Sequence, residues 1–405
     1  MPPVRLLTLD PGHFHAALVQ KEALPGVDPT VHVYAPLGPD LVAHLGRIAA
    51  FNGRAEQPTA WKLEVHAGDD FLERALREKP GDVVVLAGRN RDKIRRIHAA
   101  LAAGLHVLAD KPWVLVPEDL LLLAECVALA RRSGLVAADI LTERYEATSL
   151  LQRRLVGEAG IFGTIDPGTP DDPGVVMESV HGLIKSVAGA PLRRPTWFFD
   201  LDEQGEALTD VGVHLVDLVQ WILRPESGIG IEELAIHAAT RWPTVLTRDD
   251  FERITGTCDF PPWTAGYADS DRLHYPGNNR IDYSLGGVHV RLDIRWDREC
   301  PNGDTHYARF RGSRATVEIR DGEVYVTPRD PADADALRRD VEAVLGAPVD
   351  ASVGERVGHE AHFAQVARRF LSDLANPSGV PAYEDERTLA RYHVTAHGVA
   401  LARGG

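Results

Sequence analysis

At 405 residues, 44% hydrophobic and 25% charged, the chain has a globular composition with room for two hydrophobic cores. A formal charge of -15 excludes a broad basic surface for nucleic acid, and three scattered cysteines, Cys126, Cys258 and Cys300, supply neither a disulfide framework nor a thiolate zinc site. With no apolar run of about 18 residues and no leader ahead of the first strand, the expectation is a cytoplasmic protein without nucleic-acid or membrane partners.

Residues 4–9 (VRLLTL) read as a buried strand and residues 15–21 as the helix after it, which makes a βα unit. Between them stands Asp10-Pro11-Gly12-His13-Phe14-His15. A dinucleotide loop wants G-x-G-x-x-G, so that backbone approaches a pyrophosphate at a helix start. Here Gly12 occupies the middle glycine position, with Asp10 and His15 in the outer ones. Two readings stand side by side: a cofactor turn through Gly12, His13 and Phe14, and a capped strand-to-helix turn with no ligand. Residues 31–34 form the second strand. No Lys or Arg follows it before Arg47, and Asp40 lies close, a pattern that favours NAD over NADP.

Further strands are expected at 82–87 and 106–109, a helix around 94–103, an amphipathic helix over 118–133 between Pro117 and Gly134, and a last strand at 135–140. Near-continuous aliphatic strands alternating with helices predict a parallel sheet covered on both faces. Asp110-Lys111-Pro112 closes the fourth strand.

Beyond about residue 150 the texture changes. Residues 166–174 form a Pro/Gly/Asp-rich loop, and 288–296 alternates apolar and polar residues as a half-exposed antiparallel strand does. Gly286-Gly287 joins it to 281–285 in a hairpin, and Asp321-Gly322 joins 315–320 to 323–327. The boundary is expected near residue 145: a first domain over 1–145, and an α+β domain over 146–405 whose C-terminal helices are free to return to the first. On a predicted helix in the second domain lies Asp210-Val211-Gly212-Val213-His214-Leu215-Val216-Asp217. Its Asp and His stand one turn apart, and with a strand-end lysine they offer charge, orientation and a proton acceptor to a reacting hydroxyl.

The strand-Gly12-helix start, the run Asp82 to Asn90, Ala103 to Pro112 and the later Leu208 to Trp221 together resemble the glucose-fructose oxidoreductase / inositol dehydrogenase / MocA (Gfo/Idh/MocA) family. Asp110-Lys111-Pro112 is similar to its EKP block and Asp210 to Asp217 to its DxGxHxxD block, with a looser match at residues 310–315. The resemblance implies a Rossmann-type doubly wound parallel sheet followed by an α+β domain on a largely antiparallel open sheet. It implies an NAD(P)-dependent oxidoreductase acting on a sugar, cyclitol or related polyol. Lys111, Asp210 and His214 would be catalytic, and Gly12, His13, Phe14, Asn90, Asp110, Lys111 and Pro112 would meet the cofactor. Arg144, Tyr145, His181 and Asp217 would face the substrate, against an equal reading of Arg144 and Tyr145 as salt-bridge residues. The same residues serve a transient oxidation that ends in glycoside cleavage, and the fold also serves non-catalytic dinucleotide or sugar sensors.

This sequence departs from the family pattern at Asp110, where glutamate is usual, at Gln204-Gly205-Glu206, which replaces a glycine run, and at Asp10 and His15. His13, His15, Glu178 and His181 lack tight ligand spacing, so no metal is expected. The aromatic run Trp197-Phe198-Phe199 reads as buried packing ahead of a sugar-stacking wall. The apolar face Val288, Val290, Leu292, Ile294, Trp296 needs a cover, which helices of the second domain can supply on one side only, and the resemblance implies dimers or tetramers through the outer sheet face, so a homodimer or homotetramer is expected.

Overall fold

In a computed structural model that describes residues 2–187, 190–301, 303–346 and 359–404, the chain divides into two units. One is built from Met1–Thr142, Asp202–Gln204 and His359–Asp385, the other from Glu143–Leu201, Gly205–Gly358 and Glu386–Gly405.

The first unit runs β1 (Leu6–Leu9), α1 (His15–Leu18), β2 (Thr30–Ala35), α2 (Pro39–Gly53), β3 (Lys62–Ala67), α3 (Phe71–Glu78), β4 (Val83–Leu86), α4 (Lys93–Ala102), β5 (His106–Ala109), α5 (Leu120–Arg132) and β6 (Ala137–Asp139). Its six strands are all parallel, in the order β3-β2-β1-β4-β5-β6. Strands β1 and β4 are buried at every residue, as aliphatic strands with helices on both faces must be. The helices show the matching stripe: on α5, Leu123, Cys126 and Ala130 are buried while Leu121 faces out.

One expectation is corrected here: the helix after β1 is one turn, ending at Leu18 rather than Lys21. Strand β3 and the helices α2 and α3 stand in addition to the expected elements. Strand β3 escapes a sequence reading because it lies at the sheet edge, is exposed or half-exposed throughout, and carries Lys62, Glu64 and His66 among its apolar residues.

The second unit contains α6 (Ala147–Gly157), β7 (Val175–Ile184), the two-residue strands β8 (Ser186–Val187) and β9 (Ala190–Pro191), α7 (Ala207–Asp210), α8 (Gly212–Leu223), β10 (Leu234–Thr247), α9 (Arg248–Thr255), β11 (Arg272–Leu285), β12 (Val288–Glu299), β13 (Thr305–Arg311), β14 (Ala315–Arg320), β15 (Glu323–Pro328) and α10 (Ala334–Leu345). Helix α11 (Phe363–Ala375) belongs to the first unit, and α12 (Ala382–Gly404) continues into the second from Glu386. Seven strands make an open sheet in the order β10-β11-β12-β7-β13-β14-β15. Only the β12–β7 pair is parallel among them.

Both expected hairpins form, with Gly286 and Gly287 at φ 55° and 83° and Asp321 and Gly322 at φ 53° and 80°. Paired left-handed residues give the turn whose twist matches the strands it joins. The face of β12 carrying Val288, Val290, Leu292, Ile294 and Trp296 is buried within the chain, in one cluster with Leu208, Leu215 and Val219 and with Val394 of α12. That face therefore needs no second subunit to cover it. The opposite face carries cross-strand ion pairs such as Arg291–Asp282 and Arg280–Asp293.

Candidate functional site

In the first unit, the candidate cofactor residues gather at the carboxyl ends of β1, β4 and β5. The strand order reverses between β1 and β4, the place where parallel sheets of this kind bind ligands. Asp10 leaves β1 in the left-handed region at φ 47°, a conformation that aspartate tolerates better than most residues. Its amide donates to the Tyr34 carbonyl at 2.9 Å, Gly12 N–H to Asp10 O at 2.8 Å, and His13 N–H to Ala87 O at 2.9 Å. The turn is thus tied to the ends of β2 and β4. A Cβ on Gly88 would lie 2.1 Å from the Asp10 carbonyl oxygen, so the floor between these turns is bare backbone. The Asp10 carboxylate pairs with Arg96 of α4 at 2.5 Å, which neutralises it.

Two histidines of this turn converge on one acid. His13 Nδ1 lies 2.9 Å and His15 Nδ1 3.0 Å from Asp110 Oδ2. Burial pushes the His13 imidazole down to about 3, with the charge of His15 adding to the effect, so it is neutral at ordinary pH. Burial alone would raise Asp110, but the two histidines hold it well below the usual carboxylate range. Asn90 donates from Nδ2 to the Gln204 carbonyl at 2.8 Å and accepts from Lys93 Nζ at 2.5 Å, and Lys93 also donates to the Asp110 carbonyl at 2.9 Å. Lys93, fully buried beneath the turn, was missed because on a helix read by periodicity a lysine counts as solvated. Lys111 is buried, and its bond to Pro112 is cis. Phe14 stacks at a tilt on His13, ring centroids 4.6 Å apart.

In the second unit the expected single helix is two. Helix α7 ends at Asp210, Val211 intervenes at φ -103° and ψ -41°, and α8 starts at Gly212. His214 N–H donates three residues back to Val211 O at 3.0 Å, a tighter turn than the α-helical one, so Asp210 and His214 do not share one straight helical face. Glu206, fully buried, fixes the start of α7. It receives Arg241 at 3.1 Å, Arg403 at 2.7 Å and Asn279 Nδ2 at 2.7 Å, and Asn279 Oδ1 accepts from Leu208 N–H at 2.9 Å.

Around Asp210 lie two groups the sequence reading did not include. Arg194 is buried with its guanidinium 4.5 Å from the Phe198 ring centroid and 5.0 Å from that of Trp296, lowered by burial and supported by the charge of Asp210. The buried Tyr275 hydroxyl has no hydrogen-bond partner among the described residues and is raised well above its ordinary range, first by burial and then by Asp210. Neither residue sits in a motif, and only the packed fold places them here.

Arg144 and Asp217, both expected at the substrate, are brought together with each other. Arg144 Nε and Nη2 meet Asp217 at 2.7 and 2.6 Å, and Arg391 adds a third contact at 2.8 Å. Arg144 and Asp217 thus pair with each other, and the Asp217–Arg391 contact fastens α8 to α12. Tyr145 lies on the short turn with Arg144, half-exposed. His181 holds Asp304 at 2.9 Å through Nδ1 and Ser179 Oγ at 2.9 Å through Nε2, beside Lys185. Trp197, Phe198 and Phe199 are buried, as the packing reading had it.

The family model described as "Putative oxidoreductase C terminal domain" matches residues 151–343 and 347–403. A crystal structure of a "putative oxidoreductase" from Parabacteroides merdae is 39% identical, covering 100% of this chain and 98% of its own, with a TM-score of 0.93. More distant solved structures share the fold. A "putative myo-inositol dehydrogenase" from Sinorhizobium meliloti has 13% identity, 99% and 98% coverage and a TM-score of 0.58. Biliverdin reductase from Synechocystis, solved with biliverdin and NADP+, has 14% identity, 99% and 98% coverage and a TM-score of 0.59. No curated protein matches. The whole-length likeness at 39% identity and the C-terminal family match fall on a chain that already carries a 3-2-1-4-5-6 parallel sheet and a seven-stranded open one: the chain belongs to an oxidoreductase family of the glucose-fructose oxidoreductase / inositol dehydrogenase / MocA type.

Proposed function

We propose that the protein is an NAD(P)-dependent oxidoreductase that moves a hydride between a nicotinamide and a hydroxyl-bearing carbon of a sugar, cyclitol or related polyol. The observation that carries the reading is Lys111, a buried cation at the carboxyl end of β5, beside the point where the parallel sheet reverses its order. The myo-inositol dehydrogenase and the NADP+-bound biliverdin reductase among the distant relatives support the substrate and cofactor classes.

The first unit suits such a cofactor in outline. Gly88 packs backbone to backbone on Asp10 there, and Gly12, His13, Phe14, Asn90, Asp110, Lys111 and Pro112 would meet the cofactor beside them. Asp40, in the first turn of α2 just past β2, supports NAD over NADP. When bound, the nicotinamide supplies the hydride acceptor or donor. The chain's own residues supply the proton chemistry. The Lys111 ammonium lowers the pKa of the substrate hydroxyl, and His214 takes its proton as general base. Asp210 orients the reacting group. Lys111 belongs to the first unit and His214 to the second.

Mass spectrometry of the nucleotide released on denaturing the purified protein, followed by calorimetric titration with NAD and NADP, tests the cofactor. A polyol and sugar panel then follows nicotinamide reduction, with Lys111→Met and His214→Gln each expected to lower kcat by about 10²–10⁴-fold while leaving the fold intact. Absence of binding of either nucleotide at millimolar concentration would sink the reading. Bond cleavage without net reduction would replace it with redox-assisted hydrolysis.

A further inference from the structure

We infer that His13, His15 and Asp110 form a binding site for a divalent transition-metal ion of the zinc class. The site lies in the first unit, joins two neighbouring histidines to an aspartate 95 and 97 positions away in sequence, and does not depend on the nicotinamide reading.

The geometry comes first. The two Nδ1 atoms face the same carboxylate oxygen at 2.9 and 3.0 Å, and all three donor atoms lie within 4.8 Å of one another. Three ligands of a tetrahedral ion at bond lengths of about 2.0–2.1 Å are spaced by roughly 3.3 Å, so small rotations of these side chains bring them onto an ion. Two histidines two residues apart can do this because His13 lies in the turn ahead of α1 and His15 opens the helix: their rings meet edge to face, centroids 4.0 Å apart.

The surroundings hold the donors in place. His15 is wedged against Phe363, ring centroids 4.8 Å apart. Lys93 fixes the backbone of Asp110 from below. The side chains of His15 and Asp110 are 5% and 2% exposed, and that of His13 is 16% exposed, which leaves an approach on one side only.

An independent observation points to a cation. Asp110 Oδ1 is buried with no hydrogen-bond partner among the described residues, while Oδ2 takes both histidines. A buried carboxylate oxygen left unsatisfied is costly, and a cation removes that cost. The substitutions in the turn make sense on the same terms. Where a dinucleotide loop would place its outer glycines, this chain has an aspartate neutralised by Arg96 and a histidine aimed at a carboxylate. Two imidazoles and one carboxylate suit zinc, cobalt or ferrous ions and select against magnesium and calcium, which prefer oxygen donors throughout. Three protein ligands leave a fourth position for water or a substrate oxygen.

The test uses the full chain, stripped with a chelator and titrated with cobalt(II) alone in the absence of nucleotide. The expected result is one equivalent bound, with the intense visible absorption of a four-coordinate cobalt centre, displaced by zinc and not by magnesium. His13→Gln and His15→Gln should each weaken binding by at least about a hundredfold, with circular dichroism and Tm reporting whether the fold is kept. Should these variants fail to fold, crystals of the wild-type protein soaked with zinc alone give the second measurement. An anomalous peak among the two Nδ1 atoms and the Asp110 carboxylate supports the site. No cobalt spectrum, unchanged affinity in the folded variants, or a peak elsewhere would overturn it. Because nucleotide is absent throughout, failure here leaves the nicotinamide reading standing, and failure there leaves this one.

Discussion

His44 shows how far a single side chain can depart from its sequence appearance. On α2 it reads as one polar residue among others, yet it is buried with both ring nitrogens lacking hydrogen-bond partners among the described residues. Burial, aided by the charge of Arg47, lowers it from 6.5 to about 4. The unfolded chain therefore binds a proton in this interval that the folded chain refuses, so stability falls as pH drops from 6.5 toward 4 and levels off below. A depression of that size is worth roughly 3 kcal/mol. His44→Leu should remove this part of the acid sensitivity, measured as the difference between the two proteins' urea unfolding free energies across that pH range. A constant difference would assign the acid response to other groups. Lys111, Asp210 and His214 were legible as residue types in two motifs, whereas Arg194, Tyr275 and Lys93 were not, because burial and not sequence makes them notable.

Between α7 and α8 the sequence pattern predicts continuity and the structure makes a joint. One helix is expected to carry Asp210 to Asp217, but the start of α7 is held by Glu206 to two arginines and an asparagine from distant strands and from α12. That anchorage fixes where Asp210 stands. Breaking a buried ion pair from one side leaves the other charges uncompensated, at about 3–5 kcal/mol. Glu206→Ala is accordingly expected to lower the urea midpoint by a loss of that order, while Glu206→Gln, which keeps the Asn279 hydrogen bond, should lose less. Equal, negligible effects would show that α7 is held by its apolar contacts alone. The hairpins at Gly286-Gly287 and Asp321-Gly322 were fully legible, since a two-residue turn of left-handed residues is a local device. Strand β3 was not, because an edge strand takes its conformation from hydrogen bonds to β2 rather than from its own side chains.

At the scale of the molecule, two hydrophobic units carry separate parts of the proposed chemistry, and no helix among the described residues is long and apolar enough to cross a membrane. The apolar inner face of the large sheet is covered by the chain's own helices, so association must use another surface. We propose a homodimer or homotetramer formed through the outer face of the sheet and its edge strand β10, fourteen residues long, half-exposed and interrupted by Pro243. Light scattering at micromolar concentration should report a multiple of 44.3 kDa, and a monomer would refute this.

The amino-acid sequence by itself determined the alternation of aliphatic strands and helices, the change to an α+β texture beyond about residue 150, the hairpins and the two motifs, because these depend on periodicity and local backbone preference. Only the tertiary structure decided that His13 and His15 meet Asp110, that Arg144 and Arg391 close on Asp217, and that Glu206 is sealed beneath two arginines. Those pairings join residues tens to hundreds of positions apart. Their partners are chosen by which side chains the packed sheets bury together, and no local pattern in the chain records that choice.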